Sequence, residues 1–301
     1  MIRVEELKIK FDGFNALNGV SCDIPDASVW GLVGSNGAGK STLLRALCGI
    51  YKPSAGRVLI DGATVYENPD VKKKVFFVSD EPYLLPTSCM RSMAKIYSAA
   101  YPSFSYERFE SLARGFGLDT SRNISQMSKG MRRQAATVLA LSVQADYMLF
   151  DETFDGLDPV MRDLVKRTLY AGVAERGATV IIASHSLREL EDTCDRLALI
   201  HKGNMVLQSE VQTLKTGVFK AQIAFSDDGG LARLEEIRNS IVNYSQLGAV
   251  ITVILKGDKD RLLGYLRGLD PLLLEVLPLS LEEVFVYEME ALGYAFHDVI
   301  S

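Results

Sequence analysis

Apolar residues follow three patterns along this chain, and each predicts a different kind of element. Short continuous runs are the first. Val29-Trp30-Gly31-Leu32-Val33, Tyr147-Met148-Leu149-Phe150 and the stretch from Ala178 to Ala183 read as strands covered on both faces, as in the interior of a parallel sheet. Alternation is the second pattern. Residues 1 to about 28, with Arg57-Val58-Leu59-Ile60-Asp61-Gly62, alternate and are punctuated by Asp-Gly, which predicts an antiparallel β-layer with tight turns. The third is helical. From about Met90 to Gln126, the residues Met93, Ile96, Tyr97, Phe109, Leu112, Phe116 and Leu118 recur at the spacing of buried helix faces, and Leu43-Leu44-Arg45-Ala46-Leu47 adds another helical stretch.

Beyond Glu210 the pieces alternate again: Val218 to Phe225, Leu231 to Asn239, Ile241 to Tyr244, Val250 to Leu255, Asp260 to Leu269 and Leu272 to Leu277. The order strand, helix, strand, strand, helix, strand predicts a small α+β domain of the ferredoxin-like kind. Ser280-Leu281-Glu282-Glu283 then opens a last helix with a capping box.

Composition narrows the partners. The chain has 301 residues with 24% charged and 48% apolar side chains, enough for two cores and ordinary for a globular protein. A net charge of −5 argues against nucleic acid as a broad partner, and Lys72-Lys73-Lys74 reads as a solvated strand entrance. No apolar run reaches the ~18 residues of a spanning helix and no signal peptide is evident, so a cytosolic location is expected. Cys22, Cys48, Cys89 and Cys194 are scattered without metal-ligand spacing and are expected to be reduced, packed thiols.

The strand ending at Val33 runs into Gly34-Ser35-Asn36-Gly37-Ala38-Gly39-Lys40-Ser41-Thr42, which matches GxxxxGK[ST], and the helical run follows it. Glycines at 34, 37 and 39 let successive backbone N–H groups turn toward phosphate oxygens at a helix N-terminus. Lys40 adds a mobile cation, and Ser41 a hydroxyl suited to magnesium. A nucleotide-binding protein is the expectation.

The run Tyr147 to Phe150 ends in Asp151 and Glu152. A buried strand explains the apolar residues and leaves the acids unexplained. Ligands of open α/β sheets bind at the carboxyl ends of strands, so these acids are expected beside the glycine-rich loop. There Asp151 would hold magnesium through water, and Glu152 would orient or deprotonate a water attacking the terminal phosphate. Alternatively, the pair caps a helix with an acidic first turn.

Three further segments occur in a meaningful order: Met127-Ser128-Lys129-Gly130-Met131-Arg132-Arg133-Gln134 before the acidic strand, Gly156-Leu157-Asp158-Pro159 after it, and Ala183-Ser184-His185 at the end of the next apolar run. With the phosphate loop, residues 1 to about 210 resemble the ATP-binding subunit of an ABC transporter. In that family an LSGGQ-like signature opens a helix, and MSKGM occupies its place; Ser128 and Gly130 match, whereas Lys129 and Met131 do not. A serine hydroxyl and a glycine N–H at a helix start suit a γ-phosphate, although an N-capped helix explains them equally. His185 resembles the switch histidine that senses the γ-phosphate while its other ring nitrogen meets the backbone; alone, it fits a satisfied histidine at a strand end. Asp158 resembles the aspartate that crosses to the partner subunit. Phe11 falls where an aromatic residue stacks on adenine, with a core phenylalanine as the alternative. Asp80, in Val75-Phe76-Phe77-Val78-Ser79-Asp80-Glu81-Pro82, replaces the glutamine of the Q-loop; as a carboxylate it would meet magnesium more tightly and position water less well.

The resemblance implies an α/β fold: a P-loop ATPase domain at 1–216 with a helical subdomain at about 88–140, followed by the accessory domain at 217–301. It also implies ATP and Mg2+ as ligands, with one chain's phosphate loop facing another chain's signature across a head-to-tail homodimer, or a heterodimer with a related chain. The further expected partner is a transmembrane permease subunit, which puts the chain peripherally on the cytoplasmic face of the cell membrane. The C-terminal phrase Leu281-Glu282-Glu283-Val284-Phe285 resembles extensions found in ATPase subunits of bacterial exporters with separate membrane subunits. A small-molecule kinase would share the phosphate loop but needs an acceptor site and lid, whereas MSKGM and ASH fit the sandwich. Repair and translation ATPases of the same superfamily usually carry a long coiled-coil insertion or two ATPase units, and neither is evident in the sequence. A nucleotide-dependent binding subunit with weak hydrolysis, suggested by Asp80 and Lys129, is the third alternative.

Overall fold

A tight hairpin begins the fold. In the computed structural model, which describes residues 1–153, 157–226 and 232–291, β1 (Ile2–Phe11) and β2 (Phe14–Ile24) pair antiparallel with Phe11 opposite Phe14. The intervening Asp12 and Gly13 have φ of 40° and 87°, the positive values that a turn matched to the twist of its flanking strands requires. Ile2, Val4, Leu7 and Ile9 turn inward, which is the alternation read from the sequence.

The next strand, β3 (Val29–Val33), is buried along its whole length and enters the phosphate loop. Helix α1 (Lys40–Leu47) starts inside that motif rather than at Leu43, because Gly39, at φ 114°, turns the chain into the helix immediately before Lys40. Leu43, Leu44 and Leu47 of α1 are completely buried in a core shared with Ile2, Leu7, Trp30, Leu149, Ile181 and Ile200, each worth about 1.5–3 kcal/mol of burial. This packing ties α1 to both sheets. The chain then returns through β4 (Ala55–Ile60) and β5 (Ala63–Thr64) to complete a four-stranded sheet of order β2-β1-β4-β5.

A one-turn helix, α2 (Pro69–Lys72), capped by Asn68, leads into β6 (Val75–Val78). The helical part follows as α3 (Met90–Ala100), α4 (Tyr106–Gly115) and α5 (Lys129–Val143). One expected core position fails here: Ile96 is 47% exposed. At 100° per residue, α3 buries the arc holding Met90, Met93 and Ala94, and Ile96 lies about 110° from the centre of that arc. Next come β7 (Tyr147–Asp151), α6 (Pro159–Arg176), β8 (Thr179–Ser184), α7 (Leu187–Glu191), β9 (Arg196–His201) and β10 (Asn204–Glu210). They build a six-stranded sheet of order β10-β9-β3-β8-β7-β6, in which β3, β6, β7, β8 and β9 run parallel. Val33 pairs with Ser184, and Asp151 with Ala183. The phosphate loop, the acidic pair and His185 therefore leave the same edge of the sheet.

The described chain divides into two compact units between Ser209 and Glu210. The second unit begins with α8 (Val211–Lys215) and β11 (Val218–Ala224), followed by a 3-10 segment at Ala232–Ser240. That segment is where a regular helix was expected. It continues through β12 (Ile241–Leu247), β13 (Val250–Lys256), α9 (Lys259–Gly268), β14 (Leu273–Leu277) and α10 (Leu281–Ala291). The strands pair antiparallel in the order β12-β13-β11-β14, over a core of Ala221, Ile223, Leu234, Ile251, Val253, Leu262 and Leu266. Ser280 and Glu283 cap α10 reciprocally, at 3.3 and 3.0 Å. All four cysteines are free, and no described helix is long and apolar enough to cross a membrane.

Candidate active site

Six residues between Asn36 and Thr42 line a cavity of about 490 Å3 together with Phe11, Phe14, Asp80 and Glu152, among others. Backbone geometry sets its shape. A Cβ at Gly34 would fall 2.4 Å from the Ile200 carbonyl oxygen, so only glycine lets the loop lie this close to β9. Gly37, at φ 78°, takes a conformation that is costly for other residues. Asn36, Gly37, Gly39, Lys40, Ser41 and Thr42 line the cavity, whereas Ala38 packs inward. The Ser35 carbonyl accepts the Ala38 amide at 3.1 Å, closing the loop's inner turn.

Lys40 is 5% exposed, and its Nζ donates to the carbonyls of Gly34 at 2.7 Å and Ser35 at 3.2 Å. It also stands 3.2 Å from Glu152 Oε1. His185 Nδ1 lies 2.8 Å from Glu152 Oε2. Lysine, glutamate and histidine thus form one chain of contacts. Burial pushes the Glu152 carboxyl up, but its hydrogen bond with His185 and the charge of Lys40 outweigh that and hold it below the ordinary glutamate value. Glu152 has φ 49° and donates its amide to the Ala183 carbonyl at 2.9 Å. A non-glycine residue held in that region is strained, and here the strain aims the carboxylate into the cavity.

Asp151 is completely buried, and neither carboxylate oxygen has a hydrogen bond of normal geometry. Burial raises its carboxyl above the ordinary aspartate value; the neighbouring charge of Asp80 adds to this, while the nearby Ser41 hydroxyl and Arg45 oppose it. A buried, unsatisfied acid beside a hydroxyl at the carboxyl end of a parallel strand is a poor helix cap and a good outer partner for a hydrated divalent cation. The donor set fits magnesium. Asp80 lies on the cavity wall with its carboxylate 3.9 Å from Arg45 and its carbonyl accepting from Arg133 at 3.3 Å.

Phe11 is 41% exposed and packs edge-on against Tyr51, with ring centroids 5.1 Å apart. It is therefore not a core residue. Phe14, opposite it across the turn and 65% exposed, lines the same cavity. Sequence reasoning missed Phe14 and Arg133. The Asp12-Gly13 turn was a usable signal for the first, because a two-residue hairpin loop sets its flanking residues side by side; Arg133 stood inside the signature-like segment, which gave it no role of its own.

Ser128, Gly130 and Asp158 are not among the residues lining this cavity. Ser128 caps α5 and accepts the Met131 amide at 3.2 Å. Asp158 caps α6 and accepts the amides of Val160 and Met161, both at 3.0 Å. Gly156, part of the motif that introduced Asp158, lies outside the described residues.

Residues 17–155 match the family described as "ABC transporter". The ATP-binding protein YtrB of Bacillus subtilis is 29% identical, with 95% of this chain and 97% of that protein covered. The bacitracin transport ATP-binding protein BcrA of Bacillus licheniformis is 24% identical over 95% of this chain and 96% of its own length. Among solved structures, a dimeric ATP-binding cassette bound to ADP and phosphate superimposes with a TM-score of 0.63 at 20% identity, covering 70% of this chain and 99% of that one. Motif order, site geometry and these likenesses agree in supporting an ATP-binding subunit of an ABC transporter.

Proposed function

We propose that this chain hydrolyses ATP to drive a membrane permease, as an exporter subunit on the cytoplasmic face of the membrane, through an ATP-dependent head-to-tail dimer. ABC ATP-binding domains are ATPases, and ATP is the ligand of the family. The observation that carries the reading is the contact chain Lys40–Glu152–His185, in which a phosphate-binding cation and a base line the cavity and the histidine holds the base from behind.

In this mechanism the backbone amides of residues 36–42 and the Lys40 ammonium bind the β- and γ-phosphates. Lys40 exchanges its bonds to the loop carbonyls for phosphate oxygens, and Phe11 and Phe14 receive the base. Ser41 and Asp151 hold magnesium, with Asp80 close by, and the ion when bound supplies positive charge to the phosphate oxygens. Glu152 orients a water in line with the γ-phosphorus and accepts its proton. His185, held on Glu152 through Nδ1, turns its other ring nitrogen to the γ-phosphate. Ser128 and Gly130, outside their own chain's cavity, serve the facing chain, and Asp158 lies at that boundary. Loss of the γ-phosphate removes these contacts, the dimer opens, and the permease changes conformation.

Residues 217–301 form an accessory domain of ferredoxin-like kind, supported by the strand order β12-β13-β11-β14 with two crossing helical segments, and they act in dimerisation or regulation. Full-length similarity to a bacitracin transport protein supports export. Glu152→Gln tests the core of the proposal: it keeps Mg-ATP bound, slows turnover by about 10²–10⁴-fold and accumulates an ATP-bound dimer visible by light scattering. A variant that stays monomeric at saturating ATP, when the nucleotide-free protein is also monomeric, sinks the sandwich.

A further inference from the structure

His185 follows the carboxyl end of β8, Asp158 caps the start of α6, and a shielded carboxylate lies between the two. We propose that Glu189, on α7, is a positioning residue that ties the His185 turn to the Asp158 cap, so that the two move as one body when the γ-phosphate is gained or lost. This rests on the reading of His185 and Asp158 as groups of the ATP site.

The link can be followed atom by atom. Ser184 Oγ accepts the Ser186 amide at 3.0 Å, which closes the turn around His185, and donates to Glu189 Oε2 at 3.0 Å. The other carboxylate oxygen, Oε1, stands 3.5 Å from Arg162 Nη2 on α6. The same guanidinium nitrogen reaches the Leu157 carbonyl at 3.5 Å. Leu157 directly precedes Asp158, whose carboxylate caps α6 through Val160 and Met161. The backbone beneath Glu189 is pinned as well, since its carbonyl accepts from Thr193 Oγ1 at 2.9 Å.

Glu189 can do this because it is shielded. Its side chain is 13% exposed, and each oxygen serves a different element. In such surroundings an ionised carboxylate that loses either partner is left partly desolvated and unpaired, which costs far more than breaking a surface ion pair. Separate movement of the two turns is therefore disfavoured, and joint movement leaves the link whole. Glu189 is not among the residues lining the cavity, so its effect on chemistry passes through the Ser184–Ser186 turn that carries His185. The carboxylate converts a γ-phosphate contact at His185 into the placement of Asp158 at the boundary with the facing chain.

Hydrogen exchange read by mass spectrometry on the full chain tests the link without nucleotide. In Glu189→Gln and, from the other end, Arg162→Gln, amides at 184–187 and at 157–162 should exchange about tenfold faster together, while those of the phosphate loop stay unchanged. Acceleration confined to one turn overturns the proposal, as does a uniform rise across the domain. Turnover supplies the second readout. Glu189→Gln should lower kcat for ATP with KM within about twofold, and adding it to His185→Ala should cause no further loss, because one residue acts through the other. Additive losses overturn the proposal. A wild-type chain without ATP turnover would instead sink the functional reading, and the exchange measurements would still decide whether the two turns are tied.

Discussion

Phe11 and Phe14 form an exposed aromatic pair on the cavity wall, and a flat π-surface recognises the face of a base with little regard for its edge. Stacking is worth about 1–3 kcal/mol per base when truncated, so Phe14→Ala and Phe11→Ala should each weaken ATP binding roughly tenfold, and GTP binding about as much. Titration of a fluorescent analogue with both competitors measures this; unchanged affinity in both variants removes the stacking role. Asp80 carries the other residue-level expectation. A carboxylate at that place is a stronger oxygen ligand than the amide it replaces, and manganese has higher affinity for such sites than magnesium. The manganese-to-magnesium ratio of turnover rates should therefore move toward one in Asp80→Gln. An identical ratio in both proteins would assign Asp80 to its contact with Arg45 alone.

At the scale of elements, the ends of α10 and β11 show how a local motif and a distant partner combine. Ser280 and Glu283 form the capping box that the sequence predicts, but Glu283 also takes Lys220 of β11 at 2.8 Å. Burial pushes the Glu283 carboxyl up, yet the bonds from Lys220 and Ser280 outweigh it and hold the group below its usual value of 4.5. A depressed carboxylate contributes stability that is full above its unfolded pKa and is lost as pH falls through the folded one. Glu283→Gln should thus destabilise the second unit by about 1 kcal/mol near neutrality, after allowance for partial exposure. The gap from wild type should close as the pH drops below 4.5. Chemical denaturation at neutral and acid pH checks the sign, and a gap that widens in acid refutes the assignment.

For the molecule as a whole, every described residue that lines the phosphate cavity precedes Ser209, and the second unit holds a hydrophobic core of its own. Deleting residues 210–301 should leave ATP affinity within about threefold, as expected of separable domains. Abolished binding in a truncated chain that keeps its circular dichroism spectrum would show that the second unit completes the site. Ser128 and Gly130 complement this. They sit at a helix start away from their own cavity, so the same truncation tested for ATP-dependent dimerisation separates the cassette's contribution to pairing from that of the second unit.

The sequence by itself determined the phosphate-loop motif, the acid pair at a strand end, the histidine after the next strand and the succession of strands in the second unit. Each rests on short-range rules: glycines where φ must be positive, carboxylates at a strand end, apolar runs with the period of their element. Gly34 is legible for this reason, since the motif already demands the backbone that its approach to Ile200 confirms. Tertiary structure decided what depends on residues distant in the chain. It set Glu152 between Lys40 and His185, left Asp151 buried without a partner, turned Phe14 onto the cavity wall and ran Glu189 to Arg162. It also chose which arc of α3 is buried, and so exposed Ile96. Periodicity announces that a helix has an apolar face, but only the surface packed against it says where that face ends.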